Sequence, residues 1–167
     1  DAEVPVLSPT INALYLFCHI FHHLVSNGIG LRQFCDLALF IDKHHEEIDK
    51  EQLDEHLRQL GIKKAFTAVG YVLVELLGLK AERFPYGITD RDRKVGKRIA
   101  MSVMEDGNWA KDKYTVKHKG LLHSIQTGWI CLMQSLKYVD VAPMECLLRM
   151  PREGSFFLRK RFCAVKQ

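Results

Sequence analysis

The segment Asn27-Gly28-Ile29-Gly30-Leu31-Arg32-Gln33-Phe34-Cys35-Asp36 separates two strongly apolar stretches of the chain. Because glycine readily adopts the left-handed backbone conformation that ends helices, Gly28 predicts the end of one helix, and the next begins at about Leu31. The second helix carries Arg32, Gln33 and Asp36 inside an otherwise apolar run. Since an unpaired buried charge is costly, these residues predict either pairing with each other or a polar cavity.

Helical periodicity continues on both sides of this segment. Ser8 and Pro9 are a typical N-cap and first helical residue, and they predict a first helix over residues 9–26. Its predicted buried face consists of Ile11, Leu14, Tyr15, Cys18, Phe21, Leu24 and Val25. Further helices are predicted at about 31–45, after a cap at Asp49, at 63–77, after a cap at Asp90, at 118–138, from Pro143 and from Glu153.

The absence of alternating strand patterns predicts an all-α protein, a compact bundle of about seven to eight helices. Its 167 residues fit one helical domain, and the start at Asp1 without Met suggests a fragment of a longer chain. The apolar runs are too short for a membrane span, and no signal peptide precedes them. Five widely spaced cysteines without a Cys-x-x-Cys pair predict reduced thiols in a cytoplasmic protein.

Three histidines lie together on the first predicted helix. His19 and His23 are four residues apart and project from one face, with His22 beside them. The spacing is that of His-Glu-x-x-His zinc sites, but the Glu and a third ligand are missing. The sequence therefore favours a contact between helices over a metal site or a substrate-facing role, and no metal ligand is assigned.

Arg32 and Asp36 are also four residues apart. When exposed, such a pair adds only about 0.3–0.5 kcal/mol to helix stability, so pairing and cavity lining remain equally supported. The planar guanidinium of Arg32 is suited to phosphate or carboxylate recognition. Asp36 is a candidate general base, metal ligand or supporting group.

Two short motifs and three basic clusters can be explained without a magnesium, phosphate-binding or RNA-binding site. Asp90-Arg91-Asp92 has the spacing of magnesium-binding carboxylates and Gly154-Ser155 that of a phosphate-binding dipeptide, but their order is reversed and the Asp pair opens a helix. Convergence of the basic clusters would favour a polyanion such as RNA, although the net charge of +4 does not demand one. These clusters are Arg91 to Arg98, Lys111 to Lys119, and Arg159 to Arg161.

The histidine-rich stretch Leu14 to His23, followed by Gly28-Ile29-Gly30-Leu31-Arg32-Gln33-Phe34-Cys35-Asp36, resembles an uncharacterised family of bacterial nucleotidyltransferases. The segment from Gly61 to Gly78, the loop with Pro85 and the region of Gly107-Asn108 are also similar. The resemblance implies a two-part enzyme that transfers a nucleoside monophosphate from an NTP to an unknown acceptor. An N-terminal α/β domain would hold Mg²⁺ and the NTP, and this helical part would line the cleft.

By the same resemblance, Arg32 and Asp36 would contact the nucleotide phosphates or orient a catalytic group, with Gln33 beside them. His19 and His23 would face the same cleft. No catalytic residue is assignable here, the Mg²⁺ ligands would lie outside this sequence, and this part alone would be inactive. The expected partners are the NTP, the acceptor and the N-terminal domain. The alternative is a non-enzymatic helical module that binds RNA or a partner protein through its basic helices.

Overall fold

The computed structural model describes residues 6–26, 28–106, 129 and 132–147. Its α-helices are α1 (Pro9–Leu24), α2 (Leu31–His44), α3 (Lys50–Gln59), α4 (Lys63–Tyr71) and α5 (Asp90–Asp106). A π-helix, Val72–Leu76, continues α4, and a 3₁₀ helix follows at Ala81–Arg83. Residues 132–136 and 143–147 are also helical, and these described ranges contain no strand, which confirms the all-α prediction. The predicted helical residues 118–128 and 130–131 and the predicted helix from Glu153 lie outside these ranges.

Side chains at the helix starts confirm two of the predicted caps and correct a third. Ser8 accepts a hydrogen bond from the Ile11 amide, and Asp49 accepts one from each of two amides of α3. At α5 the capping residue is Thr89 and not Asp90, because the Thr89 hydroxyl accepts from the Asp92 amide at 3.3 Å. The Asp92 carboxylate accepts from the Thr89 amide at 2.9 Å in return. This reciprocal pair is a capping box, which uses the third helical position.

The core lies where α1 crosses α2 and α3, and where α4 crosses α3 and α5. Phe17 of α1 meets Phe66 of α4 edge to face, with ring centroids 4.9 Å apart. The link from Gly28 to Gly30 lets α2 fold back on α1, and Gly28 has a φ of +80° as its place in the turn requires. The double-glycine segment therefore brings α1 and α2 side by side.

The buried face of α1 differs from the predicted one. Its buried residues are Thr10, Ala13, Phe17, Ile20, Phe21 and Leu24. Tyr15, which was predicted to be buried, is 60% exposed. The helix is apolar on most of its circumference, so hydrophobic periodicity alone leaves its rotation undetermined. The neighbouring helices select the stripe that contains Phe17.

Two further segments depart from the predicted pattern. Residues 72–76, inside the helix predicted over 63–77, form a π-helix in which Leu76 is 47% exposed. In the helix predicted over 118–138, the apolar residues Trp129 and Leu136 are 62% and 49% exposed. Ser135 is buried instead and its hydroxyl donates to the Val25 carbonyl at 3.3 Å.

Candidate functional site

A pocket of about 280 Å³ lies between α1 and α2. It is lined by Tyr15, Leu16, His19, Ile20, Gln33 and Asp36. The α1 residues repeat at a spacing of four and the α2 residues at three, so each set shares one face of its helix. Three of the five predicted site residues, His19, Gln33 and Asp36, therefore meet in one pocket.

Gln33 has the least satisfied side chain in this pocket. The residue is partly buried, and its amide oxygen Oε1 is fully buried without a hydrogen-bond partner in the described part of the chain. Leaving a buried acceptor unpaired costs about 1–3 kcal/mol. Packing alone does not explain a polar group that carries this cost beside a cavity.

Arg32 and Asp36 do not form the ion pair that was one of the two interpretations. Both side chains are exposed, and no ion pair or hydrogen bond joins them to another described residue. The buried positions of α2 are Phe34, Leu37, Ala38 and Ile41, so the two charges lie beside the apolar stripe and not within it. Asp36 lines the pocket, whereas Arg32 is not among the lining residues.

The histidine rings of α1 meet edge to face, with His23 in contact with both His19 and His22. The ring centroids of His19 and His23 are 4.6 Å apart at an interplanar angle of 76°, and those of His22 and His23 are 5.6 Å apart. His19 is exposed and lines the pocket, while His23 is partly buried behind it. Among the described residues, no cluster of three side chains is arranged to hold a metal ion.

Asp92, part of the rejected Asp-x-Asp motif, is engaged in helix capping. It is 8% exposed and accepts hydrogen bonds from the Thr67 and Thr89 hydroxyls, each at 2.6 Å. Burial raises the pKa of this carboxyl, but the hydrogen bonds outweigh burial and hold the pKa below its ordinary value. With its oxygens engaged in this way, the described residues do not fit Mg²⁺ at Asp90-x-Asp92.

The basic residues of α5 are largely engaged with carboxylates and carbonyls. Arg98 forms a bidentate pair with Asp140 at 2.8 and 3.0 Å, and Arg91 donates to the Asp140 carbonyl. Arg93 lies 3.1 Å from Glu75. The other two basic clusters lie outside the described residues. The described part of α5 therefore gives little support to the alternative of an RNA-binding face.

A second pocket, of about 540 Å³, was not predicted from the sequence. It is lined by Lys50, Glu51, Asp54, Glu55, Arg58, Lys63 and Tyr86. Asp54 lies 2.5 Å from the Lys63 ammonium and 2.8 Å from the Arg58 guanidinium, and the hydrogen bond with Lys63 lowers the pKa of Asp54. Burial and the nearby Asp54 raise the pKa of Tyr86. Only the spacing of Asp54 and Arg58 could have indicated this network from sequence.

Residues 1–78 match the model of a family described as an uncharacterised nucleotidyltransferase. The match covers just under half of the 167 residues and ends at Gly78, so it spans less of the chain than the predicted resemblance. It contains α1, α2 and every residue that lines the pocket between them. No curated protein and no solved structure shows significant similarity to the chain. None of the helices formed by described residues is long and apolar enough to cross a membrane.

Proposed function

We propose that this chain is the cleft-lining helical part of a bacterial nucleotidyltransferase. The observation that carries the proposal is the coincidence of two features. The segment similar to the nucleotidyltransferase family includes α1 and α2, and these helices bring His19, Gln33 and Asp36 into one pocket. In this proposal the three residues contact a substrate or support a group that does.

Nucleotidyl transfer joins an acceptor oxygen to the α-phosphorus of an NTP. The bond from that phosphorus to the bridging oxygen breaks, pyrophosphate leaves and the acceptor's proton passes to water. Positioning and electrostatic stabilisation supply most of the catalysis, and a divalent metal neutralises the phosphates. Since the described residues do not fit Mg²⁺, the proposal places the metal ligands in another domain of the same protein.

Arg32 and His23 have supporting roles in this proposal. Arg32 is exposed on the first turn of α2 next to Gln33, where its guanidinium is free to approach a phosphate outside the pocket. His23 meets the ring of His19 edge to face and would help to orient it. Neither residue needs to line the pocket for these roles.

The experiment is a transfer assay on the complete gene product with Mg²⁺ and α-labelled NTPs. Arg32→Ala and Asp36→Ala should each lower transfer at least about tenfold, equivalent to about 1.4 kcal/mol of transition-state stabilisation. Glu82→Gln changes an exposed carboxylate on the 3₁₀ helix, away from the pocket, and should retain transfer. Circular dichroism checks that all three variants fold. Undiminished transfer in both Ala variants would contradict the proposal.

A further inference from the structure

The lining of the pocket between α1 and α2 has a distinct electrostatic character. Asp36 supplies a carboxylate, Gln33 an amide and His19 an imidazole, and no Lys or Arg is among the lining residues in the described part of the chain. Ionised carboxylate oxygens only accept hydrogen bonds, and neutral histidine presents one accepting nitrogen. The pocket is therefore rich in acceptors and carries the negative charge of Asp36.

A negatively charged pocket that is rich in hydrogen-bond acceptors does not suit a polyphosphate. Phosphate oxygens at neutral pH are negatively charged acceptors, so a triphosphate in this pocket would face the like charge of Asp36 without a compensating cation. Arg32, the nearest cation in sequence, is outside the lining. A ligand that brings hydrogen-bond donors would instead meet complementary groups.

Two more features define the occupant. The buried Gln33 oxygen has no partner in the described chain, and Gln33 lines the pocket. The Tyr15 ring is 60% exposed and lies one helical turn before His19. An aromatic face at this position would attract an ammonium group. The volume of about 280 Å³ suits a molecule of one ring.

We propose that this pocket binds the acceptor substrate and not the nucleotide, and that the acceptor is a small molecule rich in hydroxyl or ammonium donors. The identification of the ligand as the acceptor rests on the proposed function, whereas its hydrogen-bonding chemistry follows from the pocket residues alone. Asp36 and Gln33 recognise donors of the ligand, His19 accepts a third hydrogen bond, and Tyr15 covers one side of the ring.

The test is an NMR titration of the 167-residue chain. The reporters are the Gln33 side-chain amide and the His19 imidazole, and the probes are glucosamine, glucose and inorganic tripolyphosphate. Glucosamine and glucose should shift both reporters, whereas tripolyphosphate should not. A stronger response to glucosamine identifies ammonium as the preferred donor, and an equal response identifies hydroxyl; either supports the inference.

Asp36→Asn should weaken glucosamine binding at least about fivefold, and Glu82→Gln, the same change at an exposed site away from the pocket, should not. Reporters that respond more strongly to tripolyphosphate, or to none of the probes, would overturn the inference. The titration requires no catalysis, so its result is separable from the transfer assay. Donor binding in a gene product that lacks transfer would refute only the proposed function, and transfer without donor binding would refute only this inference.

Discussion

The junction between α4 and α5 and the pocket between α1 and α2 both place polar side chains beside the apolar core. At the junction, Asp92 is buried and its carboxylate is satisfied, since Thr67 and Thr89 both donate to it. At the pocket, the Gln33 oxygen is buried without a partner and Asp36 pairs with no described residue. Satisfied polar groups stabilise a fold, whereas unsatisfied ones cost stability and require another explanation.

The largest change in stability is expected from adding a methyl group where α4 and α5 lie close together. A Cβ at Gly96 would lie 2.5 Å from the Tyr71 ring and 2.8 Å from the Ala68 carbonyl oxygen. Gly96→Ala should therefore lower the free energy of unfolding by about 3 kcal/mol, at the upper end of typical overpacking costs. Urea unfolding measures it. Gly87→Ala is the control, because its Cβ would meet no atom within 4 Å. Equal stability of the two variants would mean that the helices do not approach this closely.

The next effect concerns the satisfied carboxylate of the junction. Asp92→Ala removes the capping box of α5 and the hydrogen bonds that the Thr67 and Thr89 hydroxyls donate to this carboxylate. The expected loss is about 2 kcal/mol in the free energy of unfolding. Asp90→Ala, at the exposed first residue of the same helix, should cost less than about 0.5 kcal/mol. A larger loss for Asp90 than for Asp92 would restore the predicted cap at Asp90.

The same carboxylate gives the junction a pH dependence. Because the folded pKa of Asp92 is lowered, its contribution to stability is complete above the unfolded value of about 3.9. That contribution is lost as the pH falls through the folded pKa. The free energy of unfolding of the wild type should therefore fall as the pH is lowered from about 5 to about 2. Asp92→Asn should fall less over this range, with the remainder assigned to Asp54, whose pKa is also lowered. Parallel curves for variant and wild type would contradict this assignment.

Local signals in the sequence predicted much of this fold. Ser8, Asp49 and Gly28 occupy the predicted cap and turn positions, because capping depends on residues within three or four of each other. The buried face of α1 was predicted only in part: Phe21, Leu24 and Val25 are buried as predicted, but Tyr15 is exposed. The stripe is chosen by contacts with Phe66 and other distant residues. The π-helix at 72–76 likewise gives no clear periodic signal.

The candidate site was predicted in composition but not in arrangement. The five named residues were selected from their spacing, and the structure brings three of them together. Arg32 lies outside the lining because its position on α2 is set by the burial of Phe34 and Leu37. The amide oxygen of Gln33 is unpaired because of the way α1 and α2 pack together, and no local sequence pattern specifies that packing.

The smallest expected effect is a gain in stability at the pocket, opposite in sign to the losses expected at the junction. It tests the difference between the two regions most directly. Gln33→Met replaces the unpaired amide with an apolar side chain of similar length, so the free energy of unfolding should rise by up to about 1 kcal/mol. Gln59→Met is the matched control, because that amide is exposed and donates to Glu55 at 2.8 Å, and removing it should be neutral or slightly destabilising. Urea unfolding of both variants measures the difference.

Gln33→Met should also abolish the response of the His19 reporter to glucosamine, a trade of binding for stability that is common at functional sites. If Gln33→Met lowers stability as Asp92→Ala does, the amide has a partner within the fold, and the distinction between junction and pocket fails.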